Sequence, residues 1–156
     1  MIDQLDQDAD EQYAQQNDAA KDDDIGSVDE AINSYVVYPI VPMAYGKDGN
    51  PIADTEGRLN ELVFDTAGGA SGGTLGDTDG FTYSIYTAND PETVLESIID
   101  GDTPKVSNSV LGTGRKNKKR DRVRGAYLGI KLSNSTAAQS WAINKILFNS
   151  NRVGGL

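Results

Sequence analysis

The stretch that decides the fold is RVRGAYLGIKLSNSTAAQSWAINKILF, residues 122–148. Within residues 126–132, apolar residues alternate with Tyr127, Gly129 and Lys131, which is the two-residue period of a half-buried strand. The polar residues 133–136 follow, and their side chains favour a turn because they hydrogen-bond to the nearby backbone. A second apolar run occupies residues 140–148 and holds the only Trp. The pattern predicts two long strands joined as a hairpin.

The second run changes its apolar parity. Trp141 and Ile143 are followed by Ile146 and Phe148, so the apolar face shifts by one residue near Lys145. A β-bulge produces such a shift by inserting one unpaired residue, whereas a strand buried on both faces shows the same pattern. The bulge is the interpretation we favour. The residues expected in the core are Leu128, Ile130, Trp141 and Phe148. The alternative for Trp141 is an exposed platform for a sugar ring.

Composition removes several classes of chemistry. The chain has 156 residues and neither Cys nor His. Disulfides, thiolate metal sites and the commonest general base are therefore absent. No apolar run approaches the roughly 20 residues that span a bilayer, and residues 1–4 lack the features of a signal peptide. We expect a soluble protein made in the cytoplasm, with no enzymatic activity, cofactor or metal.

The negative charge lies at the N-terminus. Residues 1–30 hold eleven acidic residues and one base, Lys21, which gives the whole net charge of −10. The other 126 residues hold thirteen acids and thirteen bases. Such a segment, alone, buries too little apolar surface to fold. It is either a solubilising tail or an arm that orders on a neighbouring subunit, with Ile2, Leu5 and Tyr13 as anchors. We expect an acidic arm over residues 1–34 and a β-domain over residues 35–156.

Four further strands and one helix complete the prediction. Residues 35–45 are β-prone but contain Pro39 and Pro42, which predicts an edge strand or an extended arm. Residues 60–64, 81–87 and 106–111 are the other strand candidates. A short helix is expected over residues 90–99, with Asn89 or Asp90 as its cap and Val94, Leu95 and Ile98 on its apolar side. About six strands and one helix predict a β-sandwich or a small open barrel. The hairpin is expected to pack against residues of the facing sheet, namely Val63, Phe81, Tyr83 and Ile85.

A basic run covers residues 115–124, between two predicted strands, and is expected to project as a loop. It holds seven bases and one acid: Arg115, Lys116, Lys118, Lys119, Arg120, Asp121, Arg122 and Arg124. Three interpretations stay open. The run is a solvated loop, it pairs with an acidic partner such as the arm of a neighbouring copy, or it contacts the phosphates of nucleic acid. No aromatic residue interrupts it, so any contact with nucleic acid is expected to be independent of base sequence.

Three polar motifs resemble known ligand loops only in part. Residues 77–80 and 47–50 have pieces of a calcium loop but lack its full ligand spacing. The glycine-rich residues 68–73 lack the Lys-Ser/Thr pair and the following helix of a phosphate-binding loop. We expect turns and a flexible loop at these positions.

Several segments together resemble a known class of structural protein. They are residues 87–94 (TANDPETV), residues 122–125 (RVRG), residues 131–135 (KLSNS) and the closing strand around Trp141. Their order is similar to β-sandwich regions in virion proteins of tailed bacteriophages, in particular neck and tail-hub proteins. The resemblance covers residues 83–155. It implies a non-enzymatic β-sandwich that joins other virion proteins and copies of itself in a symmetric assembly.

The expected function is therefore a structural subunit of a phage virion, at the neck or tail or as a head accessory, made in the host cytoplasm. A capsid decoration or cement protein is one alternative, and a carbohydrate-binding β-sandwich is another. Non-specific contact with packaged DNA is a further expectation, and no membrane partner is expected.

Overall fold

A computed structural model describes residues 21–22, 30–31, 33–66, 80–111, 116–136 and 141–153. The described part is mainly β with one short helix, as the sequence predicted. The strands are β1 Lys21–Asp22, β2 Glu30–Ala31, β3 Ser34–Val37, β4 Val41–Pro42, β5 Gly57–Thr66, β6 Phe81–Ala88, β7 Val106–Val110, β8 Asn117–Lys119, β9 Arg124–Gly125, β10 Tyr127–Asn134 and β11 Ile143–Arg152, and the helix is α1 Pro91–Ile99.

Two antiparallel sheets form the body. Sheet 1 has the strand order β3-β10-β6-β7, with β4 pairing with β10 on the same side as β3. Sheet 2 has the order β11-β5-β8, with β9 also pairing with β5. The short strands β1 and β2 pair with each other and with no other strand of the described residues. Neither sheet closes into a barrel among the described residues. The two sheets pack face to face as a β-sandwich.

The predicted hairpin is wrong. β10 lies inside sheet 1, with β6 on one side and β3 and β4 on the other. β11 pairs with β5 in sheet 2. Because neighbouring strands already occupy both edges of β10, no edge is left for β11, and the chain crosses to the other sheet. Alternation correctly predicted which face of β10 is buried, but it carries no information about which strand lies beside it.

The core lies between the two sheets. Leu59, Leu62 and Phe64 of β5 face apolar side chains of sheet 1. The ring of Phe64 lies 5.6 Å from that of Phe81 and 5.0 Å from that of Tyr83, measured between centroids. The side chains of sheet 1 in this core are Phe81, Tyr83, Ile85, Val110, Leu128, Ile130 and Leu132.

The predicted partition of the core between the sheets was wrong. Phe81, Tyr83 and Ile85 belong to β6, which neighbours β10 in the same sheet rather than in the facing one. Val63 is only half-buried, between the buried Leu62 and Phe64, so it points to the opposite face of sheet 2. Two apolar strand faces can lie side by side in one sheet or opposite each other in two sheets. The sequence pattern of the strands is the same in both cases.

The bulge near Lys145 is confirmed. Ile143 pairs with Thr66 and Lys145 pairs with Asp65, so Asn144 has no partner of its own in β5. A second irregularity was not predicted. Asn149 pairs with Glu61 and Ser150 with Leu59, which leaves Asn60 as the extra residue in β5. Each bulge moves the apolar set of its strand to the other parity while keeping it on the core side.

The proline-containing segment lies at an edge of sheet 1, as expected. Pro39 separates β3 from β4, and both strands pair only with β10. Residues 46–51 turn as expected: the amide of Gly49 donates to the carbonyl oxygen of Gly46 over 3.0 Å, and Gly49 has a φ of 79°.

Helix α1 covers the outer face of sheet 1. Asp90 caps its N-terminus by accepting a hydrogen bond from the Thr93 amide over 2.8 Å, and Pro91 occupies the first turn, as predicted. The Thr93 bonds hold the pKa of the Asp90 carboxyl below its usual value. Val94 and Ile98 are buried against the sheet, but Leu95 is 45% exposed, so its predicted place on the packed side is wrong.

Candidate functional site

The basic run is an extended edge segment, not a projecting loop. Its described part, residues 116–124, follows β5 through β8 and β9, and the Leu59 amide donates to the Val123 carbonyl oxygen between them. Burial alternates along it: residues 117, 119, 121 and 123 are covered to some degree, and residues 118, 120, 122 and 124 are exposed. Pairing with β5 satisfies part of its backbone, which a free loop leaves to water. Arg115 lies outside the described residues.

The inward side chains tie this segment to sheet 1. Lys119 Nζ donates to the carbonyl oxygen of Ser109 over 2.9 Å. Asp121 accepts a hydrogen bond from the Tyr83 hydroxyl and one of 3.3 Å from Asn108 Nδ2. Burial, together with the bond to Asp121, raises the pKa of Tyr83 well above its ordinary value of about 10. Lys119 and Asp121 therefore join the two sheets at this edge.

The outward side chains form a row of bases on the outer face of sheet 2. Two of them share one acid: Lys118 Nζ lies 3.6 Å from Glu61 Oε1, and Arg120 Nε lies 3.8 Å from Glu61 Oε2. The Arg120 side chain is still 82% exposed. Ion pairs this exposed contribute little to stability. Lys116 precedes the row and is exposed, with a φ of 66°.

An arginine from another strand joins this row. Arg58 of β5 lies directly opposite Arg124 of β9 in the antiparallel register. Arg58, Arg120 and Arg122 also line one open depression together with Asn60, Glu61 and Asn149. No acidic side chain of the described residues lies within ion-pair distance of Arg58, Arg122 or Arg124. The sequence gives no sign that Arg58 belongs to this row, because it is the pairing of β5 with β9 that brings Arg58 beside Arg124.

The exposed apolar side chains concentrate at sheet edges and on the helix. Tyr35 (61% exposed) and Val36 lie on the edge strand β3, and Lys131 Nζ sits 4.8 Å from the centroid of the Tyr35 ring. Leu147 lies on the edge strand β11, and Leu111 follows β7. Leu95 and Ile99 form an exposed pair one turn apart on α1. In the described part of the chain, β3, β7, β8 and β11 each leave one edge unpaired.

Trp141 is half-buried and packs beside the core. Its ring stacks on Phe81 with 5.9 Å between centroids and a 28° interplanar angle. Its Nε1 donates to Ser34 Oγ over 3.2 Å, and Ser34 Oγ in turn donates to the carbonyl oxygen of Asn134. This packing covers one face of the indole ring. Leu128 and Ile130 are buried in the core, and Phe148 is half-buried against it.

The other sequence candidates are placed as follows. The anchors Ile2, Leu5 and Tyr13, the glycine-rich loop and residues 77–79 lie outside the described residues. The Asp48 carboxylate of the second calcium-like motif accepts hydrogen bonds from Asn50, which hold its pKa below the usual value. No group of three or more metal-ligating side chains occurs among the described residues.

Segments that are distant in sequence meet at the two ends of sheet 1. At one end Thr87 Oγ1 donates to the carbonyl oxygen of Arg124 over 2.9 Å, and the Ala126 amide donates to the Ala88 carbonyl oxygen. At the other end, Ser34 links Asn134 with Trp141.

The sequence matches no protein-family model, and a search of curated proteins gives no significant match. No helix in the described part of the chain has the length and apolar character that crossing a membrane requires.

Proposed function

We propose that this chain is a non-enzymatic structural subunit of a tailed-phage virion, a neck, tail or head accessory component. It binds neighbouring subunits through its β-domain and through its acidic N-terminal arm. The proposal draws on the resemblance of residues 83–155 to β-sandwich regions of neck and tail-hub proteins.

The observation that carries the proposal is the set of strand edges that bear exposed apolar side chains and have no partner strand among the described residues. An unpaired edge offers a row of backbone donors and acceptors to another chain, and monomeric proteins usually protect such edges. Here Tyr35 and Val36 lie on one such edge and Leu147 on another. Subunits of a symmetric particle use surfaces of this kind to pair with neighbours.

The test is quantitative mass spectrometry of purified virions from the source system, with peptide amounts scaled to the major capsid protein. A ratio of about six to twelve copies per particle, as expected for a ring on the particle axis, supports the neck or tail assignment. Absence of the protein from particles that are otherwise complete overturns the proposal.

Capsid decoration is the alternative that the same measurement separates, because a decoration protein would be present in hundreds of copies. Carbohydrate binding is less well supported, since one face of Trp141 is covered by Phe81. Loss of glycan binding on Trp141→Ala, in a variant that stays folded, would favour it instead.

The arm has a test of its own. Deletion of residues 1–30 should leave a folded β-domain that no longer enters the particle, with incorporation measured against the full chain. Incorporation of the truncated chain at the full level would contradict a role for the arm in assembly.

A further inference from the structure

We propose that residues 6–10 of the acidic arm dock along the row of outward bases on sheet 2 of a second copy of this chain. Asp6, Asp8 and Asp10 would meet the guanidinium groups of Arg120, Arg122 and Arg124. This proposal rests on the proposed function in that it supplies the receiving site for the arm.

The geometry of the row comes from its alternation. Lys118, Arg120, Arg122 and Arg124 are exposed. The residues between them point inward: Lys119 donates to Ser109, Asp121 accepts from Tyr83, and Val123 is buried. Bases two residues apart in an extended chain project at intervals of about 7 Å. The row runs beside β5, and the edge of β8 away from β5 is open in the described part of the chain.

The row carries positive charge that the described residues leave uncompensated. Arg58 and Arg124 lie opposite each other on paired strands, an arrangement of like charges that destabilises a sheet. Arg122 lies in the same depression as Arg58 and has no acidic side chain of the described residues within ion-pair distance. Glu61 serves Lys118 and Arg120 only. The repulsion among these bases lowers the stability of the sheet. An anionic partner from outside the chain is the simplest reason that the fold keeps them together.

The arm has carboxylates at the matching interval. The sequence LDQDADEQ places Asp6, Asp8 and Asp10 two residues apart, so in an extended segment they project from one side. No other part of residues 1–30 has three acids at this spacing; residues 22–24 hold three consecutive aspartates, which an extended chain points to alternate sides. The planar guanidinium group pairs with a carboxylate through two parallel hydrogen bonds.

Carboxylates fit this surface better than phosphates of nucleic acid do. Glu61 and Asp65 lie on the same sheet as the row and divide its positive charge, so three separate carboxylates can pair with individual arginines where a continuous phosphate backbone would also meet these acids. When two copies exchange arms, the acidic residues of each arm neutralise the row of bases on the other copy.

The first experiment measures self-association of the full-length protein by sedimentation velocity at low salt. The variant D6N/D8N/D10N is compared with D22N/D23N/D24N, which loses the same charge from the same arm. Two exchanged arms give six exposed pairs, each worth about a factor of two, so the first variant should weaken association by roughly sixtyfold and the second should leave it within about twofold. Equal effects of the two variants, or wild-type protein that stays monomeric at its highest soluble concentration, would overturn the proposal.

The second experiment exchanges the charges between two copies. Each of two variants should associate poorly alone. In D6K/D8K/D10K a positive arm faces a positive row, and in R120E/R122E/R124E a negative arm faces a negative row. Mixed together, the lysine-bearing arm fits the glutamate-bearing row, and a heterodimer should form. A mixture that remains monomeric, although both variants are folded by circular dichroism, would show that arm and row do not meet between copies.

Other outcomes separate this proposal from its premise. If deletion of residues 1–30 abolishes association but D6N/D8N/D10N does not weaken it, the arm binds elsewhere and only this inference fails. If the deletion has no effect, the role of the arm in the proposed function fails too. If R120Q/R122Q/R124Q loses affinity for a random-sequence DNA duplex while self-association is unchanged, the row binds phosphate and the inference is overturned.

Discussion

Individual residues show how closely the layers of this fold approach each other. Gly129 lies in the middle of β10, on the face that α1 covers. A Cβ added at this position would lie 2.6 Å from Val94 Cγ1 and 2.9 Å from Ile98 Cδ1. A glycine inside a strand often marks a close approach of other chain segments, but the pattern of β10 alone does not reveal that the neighbour is a helix on its second face.

Gly129→Ala should therefore lower the free energy of unfolding by about 2 kcal/mol, since α1 must move outward to admit the methyl group. Chemical denaturation measures the effect. The matched control is Gly129→Ala combined with Val94→Ala, which removes the nearer of the two methyl groups. The double variant should be more stable than the sum of the two single losses by about 1 kcal/mol. Strict additivity would show that the helix does not lie on Gly129.

Tyr83 and Asp121 give a prediction on alkaline pH. The pKa of the Tyr83 hydroxyl is raised in the folded protein, by burial first and then by Asp121. A raised folded pKa contributes stability that is complete below the unfolded pKa of about 10 and is lost as the pH rises through the folded pKa. Tm should thus fall above about pH 10 in the wild type. The fall should be shallower in Tyr83→Phe, which also loses about 1 kcal/mol at neutral pH with the hydrogen bond. Parallel pH profiles of the two proteins would contradict this role.

At the scale of elements, the bulges decide which residues reach the core. Ile143 at the start of β11 and the preceding Trp141 share the core side with Ile146 and Phe148 only because Asn144 is an extra residue. The sequence revealed this bulge since four large apolar residues mark the change in parity. The bulge at Asn60 was harder to see, because Leu62, Val63 and Phe64 are contiguous and hide the parity of β5.

Deletion of Asn144 should accordingly be tolerated at a cost of about 1 kcal/mol or less, since it restores regular alternation without turning a side chain over. Deletion of Leu147 is the matched comparison. It brings Ile146 and Phe148 next to each other and forces one of them out of the core, at a cost of about 3 kcal/mol. Thermal unfolding of both variants measures the difference. Equal losses would mean that Asn144 is not the extra residue.

The basic segment is a strand-like edge whose alternation is hidden by its charge. Seven bases among ten residues were expected to stay in solvent as a loop, yet Lys119 and Asp121 point inward and bond to sheet 1. The alternation was present in the sequence, with Val123 and Gly125 at inward positions, but charge obscured it. Long basic side chains can lie along a sheet edge while their charged ends reach water or a carbonyl oxygen.

At the scale of the whole molecule, charge is separated from fold. Residues 1–30 carry the entire net charge, and the remaining residues balance at thirteen acids and thirteen bases. In the described part of the chain, the core between the sheets and the apolar side chains packed against it extend from Tyr38 to Phe148. Stability and solubility therefore depend on different parts of the chain.

Deletion of residues 1–30 should leave Tm within a few degrees of the full chain, because every core residue of the described part lies after residue 37. It should also bring the net charge to zero near neutral pH, where colloidal repulsion is weakest. Solubility of the truncated protein should therefore pass through a minimum there, while the full chain stays soluble. A minimum at the acidic pI of the full chain, about 4.3, would contradict this division of roles.

The sequence by itself determined the number and place of the main strands, the short helix with its Asp90 cap, the bulge near Lys145 and the segregation of charge. These features depend on neighbours along the chain, and period, capping and turn chemistry are local. Only the tertiary structure decided that β10 and β11 lie in different sheets, that Gly129 lies beneath α1, and that Arg58 joins the row of bases. Those facts depend on which strands become neighbours in space, because sheet pairing joins residues that are far apart in sequence and an alternating strand accepts many partners equally well.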